Sequence, residues 1–191
     1  MIGKCAHLSP KAKKWSCNSN PATEYFYILG QLINTSSIKM ISISLKQNVV
    51  AKPSQVMDML LEHEHLNRFF NATFLLIKTQ DEGEISGGKG SIRQVCMLGG
   101  KFQERIISAD DTHITYQIIG NKPVAEHRGD IYFHTNNNSP EPSIAPITKV
   151  TYNISCKAPW LIPNFILSFF IKKDITQALK KLAFYFRGLA K

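Results

Sequence analysis

The sequence predicts an α+β domain: a curved antiparallel sheet of six to seven strands wrapped around one long C-terminal helix, with two short helices after strand 1. Three observations carry this reading. Several segments alternate polar and apolar residues with the period of two that a half-buried strand requires. Short turns rich in Gly, Asn, Asp and Pro separate them, which suits a meander of antiparallel neighbours. The chain closes with Trp160 to Lys191, where Ile171, Ile175, Ala178, Leu179, Leu182 and Phe186 recur at spacings of three and four, one face of a helix.

Residues 1–39 are polar and basic, with turn signals at Asn18-Ser19-Asn20-Pro21 and a short helix conceivable over Ala22 to Asn34. They read as an N-terminal extension, poorly ordered or with one short helix, ahead of a domain over 40–191. Met40 stands directly before the first clear strand, which raises the hypothesis of a translation start there. The intact mass of the natively expressed protein decides it.

Ile41 to Ala51 alternates, with Ile41, Ile43 and Leu45 on one face. Pro53 opens a helical stretch with Ser54 as candidate cap, and Val56, Met59, Leu60, Leu66, Phe69 and Phe70 as its apolar positions. His63-Glu64-His65 is expected to break that stretch into two short helices and to lie in a solvated turn. Phe74 to Lys78 is a second strand, followed by a polar turn over Asp81 to Lys89. Ser91 to Leu98 and Lys101 to Ser108 flank Gly99-Gly100, a hairpin signal. A two-residue loop there puts Ser91, Arg93, Val95, Met97, Phe102, Glu104 and Ile106 on one face, the better core face, with Arg93 and Glu104 diagonally adjacent.

His113 to Ile119 follows the Asp110-Asp111 turn, with Ile114, Tyr116 and Ile118 sharing a side. In Glu126 to Thr135, Gly129, Ile131 and Phe133 share a face with His127. Asn136 to Pro146 is an Asn/Pro-rich loop. Thr148 to Lys157 points Val150, Tyr152, Ile154 and Cys156 one way, and Pro159 ends it. The outer face of this sheet is polar, so the long helix must cover the inner face. The first part of that helix, Trp160 to Ile171, is apolar nearly all round and needs a cover of its own: sheet, ligand or membrane.

The formal charge is +9 and spread along the chain, with five Lys against one Glu in residues 1–39 and six basic residues against one acid from Lys172 onward. A basic helix can face anionic lipid, but no basic stretch is interleaved with aromatics on a strand as an RNA platform requires, so nucleic acid is not expected as a partner. The four cysteines, Cys5, Cys17, Cys96 and Cys156, match no zinc spacing and read as reduced thiols of a cytoplasmic protein. No apolar run reaches transmembrane length, and Tyr25 to Ile33 is too short and too deep in the chain for a signal segment. His63-Glu64-His65 lacks the HExxH spacing of a zinc helix. Gly83 to Gly90 fails as a phosphate loop, because Gly90 replaces the magnesium-binding hydroxyl and a strand follows. No metal or cofactor is expected.

The order of elements, with Val49-Val50-Ala51-Lys52-Pro53-Ser54-Gln55-Val56, Gly90-Ser91-Ile92-Arg93 and Phe102-Gln103-Glu104-Arg105-Ile106, resembles the START-like or SRPBCC superfamily, and within it the polyketide cyclase/dehydrase-like group. The resemblance covers roughly Met40 to Phe186. It implies a helix-grip, or Bet v 1-like, fold whose bent sheet grips the C-terminal helix around a hydrophobic cavity. The superfamily holds lipid carriers, hormone receptors, cyclases, coenzyme Q-binding proteins and ring-hydroxylase subunits, so the fold alone selects no reaction.

Within such a cavity Arg93 and Glu104 would neutralise each other and still offer a donor and an acceptor to a ligand's polar end. The plainer alternative is a structural ion pair. Tyr116, His127 and Tyr152 add polar points to an apolar lining, or are core residues with satisfied tips. Trp160, Phe165 and Phe169 at the helix start line the cavity, gate it, dip into a membrane, or pack as core. The expected function is binding, with transport as one use, of a hydrophobic small molecule such as a lipid, quinone or polyketide. One alternative is a cyclase or dehydratase with His127 or Glu104 as general base. Another is an interaction module that docks its basic C-terminal helix on an acidic partner, or on a membrane as a peripheral protein. Oligomeric state is open.

Overall fold

The computed structural model describes residues 40–97, 100–120, 122–135 and 146–189. The expected extension over 1–39, the helix proposed within it and nearly all of the Asn/Pro-rich loop lie outside the described residues. The elements run in the order β1 (Met40–Val50), α1 (Pro53–Leu61), a 3₁₀ helix (His63–Arg68), β2 (Thr73–Lys78), β3 (Ile92–Met97), β4 (Gly100–Asp110), β5 (His113–Ile119), β6 (Ala125–Thr135), β7 (Ile147–Lys157) and α2 (Asn164–Leu189).

The seven strands form one antiparallel sheet in the order β1-β7-β6-β5-β4-β3-β2. Sequential strands pair as a meander from β2 to β7, and β7 returns to pair with β1 over its full length, Met40 opposite Lys157 and Val50 opposite Ile147. This is the sheet around a C-terminal helix that the alternating segments predict, and the helix-grip architecture that the family resemblance implies. The inner face is apolar because each strand turns its alternate residues inward. Val95, Phe102, Ile106, Ile131, Phe133, Val150 and Ile154 bury there against Ile175, Leu179, Leu182 and Phe186 of α2. A bulge in β4 between Ile106 and Ser108 sits in the ladder to β5, the kind of irregularity that lets a sheet bend.

Two helix ends differ from expectation. Lys52, not Ser54, caps α1. The Gln55 side chain accepts from the Lys52 backbone N–H at 2.9 Å, and Pro53 takes the first helical position, where its missing N–H costs nothing. The long helix begins at Asn164, four residues later than Trp160. Pro163 explains this. Without an N–H it cannot continue a helix from Pro159, whereas its carbonyl accepts from Ile166 and Leu167 and starts a new one.

The β3–β4 hairpin also differs. Met97 pairs with Gly100, so Gly100 belongs to β4 and not to the turn expected over Gly99-Gly100. Gly100 has φ of +122°, a backbone conformation that disfavours any side chain. Moving the loop by one residue shifts the pairing by two, so every side chain keeps its face. Arg93 nevertheless lies directly opposite Glu104 rather than diagonal to it.

Cys96 is disulfide-bonded, contrary to the expectation of reduced thiols. Cys156 is a buried free thiol. Among the described residues no helix is long and apolar enough to cross a membrane.

Candidate functional site

The sheet's inner face carries a polar cluster inside the apolar core. β3 and β4 bring Arg93 and Glu104 face to face, each 7 % exposed. Arg93 Nε donates to Glu104 Oε2 at 2.8 Å, and Nη2 lies 2.7 Å from the same oxygen. The guanidinium also stacks over two rings, 5.2 Å from the centroid of Phe74 and 5.3 Å from that of Tyr116. A planar, weakly hydrated cation suits this sandwich better than an ammonium group.

β5 and β7 supply two tyrosines whose hydroxyl oxygens are 2.6 Å apart. Burial, reinforced for Tyr116 by Tyr152 and Glu104, raises both phenol pKa values. Both therefore remain neutral hydroxyls, each able to donate and accept. Gly129 of β6 makes room for Tyr116: a Cβ there would stand 2.2 Å from the tyrosine ring. His127, two residues earlier on β6, sets its ring 5.4 Å from that of Tyr116. Burial lowers its pKa, with Arg93 adding and Glu104 opposing, and its Nδ1 has no hydrogen-bond partner.

The structure thus brings together Arg93, Glu104, Tyr116, His127 and Tyr152. It adds His63, which the sequence reading assigned to a solvated turn. His63 is only 3 % exposed. Its Nδ1 lies 3.4 Å from Arg93 Nη1, and its Nε2 faces the Gly87 carbonyl outside strict hydrogen-bond geometry. A guanidinium only donates, so Nδ1 must accept and the imidazole proton sits on Nε2. Burial first, and the Arg93 charge second, lower its pKa from 6.5 to about 4, while the Gly87 carbonyl works the other way. The turn is held because Phe74 N–H donates to Asn67 Oδ1 at 2.6 Å, tying the 3₁₀ helix to β2. His65 and Glu64 behave as expected and point outward, His65 pairing with Glu62. Ser91, fully buried at the start of this hairpin, leaves its hydroxyl unpartnered.

Trp160, Phe165 and Phe169 do not join the cluster. They are 49, 75 and 62 % exposed, on or just ahead of the outward side of α2. The later turns of α2 bury a full apolar face, whereas the first turns pack only Leu167 and Ile171, both partly buried, against a small cluster of Ile41, Ile43, Cys156 and Ala158. No group of three or more His, Cys, Asp or Glu among the described residues is arranged to hold a metal ion.

No protein-family model matches the chain. No curated protein matches it either. Solved structures do match in fold. The Bacillus cereus protein XoxI is 17 % identical, with a TM-score of 0.58 over 78 % of this chain and 98 % of its own. An uncharacterised Bacillus thuringiensis protein is 16 % identical, with a TM-score of 0.54 over 76 % of this chain and 98 % of its own. Ara h 8.0201 is 12 % identical, with a TM-score of 0.55 over 78 % of this chain and 99 % of its own. At these identities the likeness is one of fold: the chain has a helix-grip, Bet v 1-like fold.

Proposed function

We propose that residues 40–191 form a START-like ligand-binding unit. It takes a hydrophobic small molecule, such as a lipid, quinone or polyketide, between the inner sheet face and α2. The observation that carries this is the spare hydrogen-bonding capacity of a desolvated polar cluster. Ser91 Oγ and His127 Nδ1 are buried without partners, Ser91 two residues ahead of Arg93 on the hairpin and His127 beside the Tyr116 ring. Native proteins rarely leave such groups unsatisfied, and a ligand's polar end is one way to satisfy them. The fold supports the reading, since Bet v 1-like folds are generally associated with hydrophobic ligands. In this reading apolar burial supplies affinity and the Arg93–Glu104 pair supplies orientation.

The test is a paired exchange, Arg93→Met with Glu104→Leu, titrated with two fluorescent probes: a fatty acid analogue and a neutral hydrophobic dye. Loss of a charge-assisted hydrogen bond should weaken the fatty acid probe by roughly 10-fold or more. The neutral dye should bind as before. Equal binding of both probes to both proteins would remove the pair from the site.

One observation favours a catalytic second reading. His127 is held neutral, with a free nitrogen beside the Tyr116 phenol, as a general base for enolisation and ring closure would need. Glu104 suits that role less well because Arg93 already occupies its carboxylate. Turnover of a polyketide-like ketone that is abolished by His127→Gln would establish a cyclase or dehydratase.

A further inference from the structure

The outward side of α2 departs from the pattern of a surface helix. A helix packed on a sheet ordinarily turns polar residues to solvent. Here Phe165, Ile166, Phe169 and Phe170 are 75, 38, 62 and 54 % exposed. Just ahead of them, Trp160, Leu161 and Ile162 are 49, 40 and 40 % exposed. Isolated exposed apolar residues need no explanation, but seven large ones within eleven positions do.

The exposed charges that follow this patch along α2 all have one sign. No charged residue occurs from Ala158 to Ile171. Lys172 and Lys173 follow at once, and Lys180, Lys181 and Arg187 continue along the exposed residues of α2. The one acid of the helix, Asp174, is half-buried.

We propose that this end of α2 docks on an anionic membrane surface. The side chains of Trp160 to Phe170 enter the interfacial layer, and Lys172 and Lys173 meet lipid phosphates. Trp at the edge of an aromatic cluster is the composition that favours the bilayer interface. An apolar face flanked by lysines is the make-up of an interfacial helix. A second copy of the chain fits less well, since symmetric pairing through this patch would bring two lysine rows together. The proposal stands independently of any ligand in the interior.

The test is sedimentation of the full-length chain with vesicles of phosphatidylcholine, alone or mixed with phosphatidylglycerol. Binding to the mixed vesicles should be stronger by about 10-fold or more. The exchange Phe165→Ser with Phe169→Ser should weaken binding to both vesicle types by about 10-fold or more. Its circular dichroism and melting temperature should match the wild type, because both side chains are exposed. The exchange Lys172→Glu with Lys173→Glu should abolish the preference for phosphatidylglycerol. In a Trp15→Phe background, Trp160 emission should shift to the blue on vesicle addition. Failure to sediment with either vesicle type would overturn the proposal, as would binding that neither exchange changes. A wild-type dimer that Phe165→Ser with Phe169→Ser converts to a monomer would assign the patch to self-association instead, and also overturn it.

Discussion

Glu104→Leu should cost roughly 3–5 kcal/mol of folding stability, because it leaves the Arg93 guanidinium buried without its counter-charge. Arg93 is 7 % exposed and cannot swing to water without leaving its place over Phe74 and Tyr116. Its other hydrogen-bond contact, His63, offers one neutral acceptor at 3.4 Å, too little to compensate a cation. Arg93→Met alone should be costly for the mirror reason. The double exchange, Arg93→Met with Glu104→Leu, should recover most of the loss, since two apolar side chains of similar volume need no partners. Urea unfolding of the four proteins measures the coupling directly. A single exchange that costs less than about 1 kcal/mol would mean that the pair is solvated like a surface ion pair.

Acid should weaken the fold between about pH 6.5 and pH 4 through His63. In the unfolded chain this imidazole takes up its proton near its ordinary value, whereas in the folded chain burial and the Arg93 charge hold it to about 4. Between those values the unfolded state binds more protons, so stability falls as pH falls. Above about pH 7.5 neither state is appreciably protonated and the contribution is constant. The loss at pH 4 should reach about 3 kcal/mol. His127, whose pKa is lowered in the same direction by burial, adds to the same window. The lowered carboxyl groups of Asp81, Asp110 and Asp130 titrate below it. His63→Gln should flatten the pH profile of stability, whatever it does to stability at neutral pH. Parallel profiles for the two proteins would exclude His63 as the group responsible.

The sheet was legible because its strands bury one face, so that alternation in Ile41 to Leu45 and Val150 to Cys156 states which side is inside. The pairing of Arg93 with Glu104 on the core face was legible for the same reason, even though the turn sits one residue away from Gly99-Gly100. Parity survives such a shift, but the exact partner does not. His63 was missed because charged neighbours on both sides made the tripeptide look like a turn. Its signal was present: Val56, Leu60 and His63 follow spacings of four and three, one helix face, and all three are buried. The start of α2 was misplaced because apolar periodicity ran through Pro163, and the backbone rule for proline should have outweighed it. The exposure of Trp160, Phe165 and Phe169 could not be read from composition. An all-round apolar segment looks the same whether a sheet or a lipid surface covers it.

Mass spectrometry of the purified full-length protein, native and after organic extraction, tests the interior-ligand reading most directly. The account predicts a lipid, quinone or polyketide at near-stoichiometric amount, retained in the native spectrum and recovered in the extract. A protein that is empty in both and takes up neither fluorescent probe would contradict it.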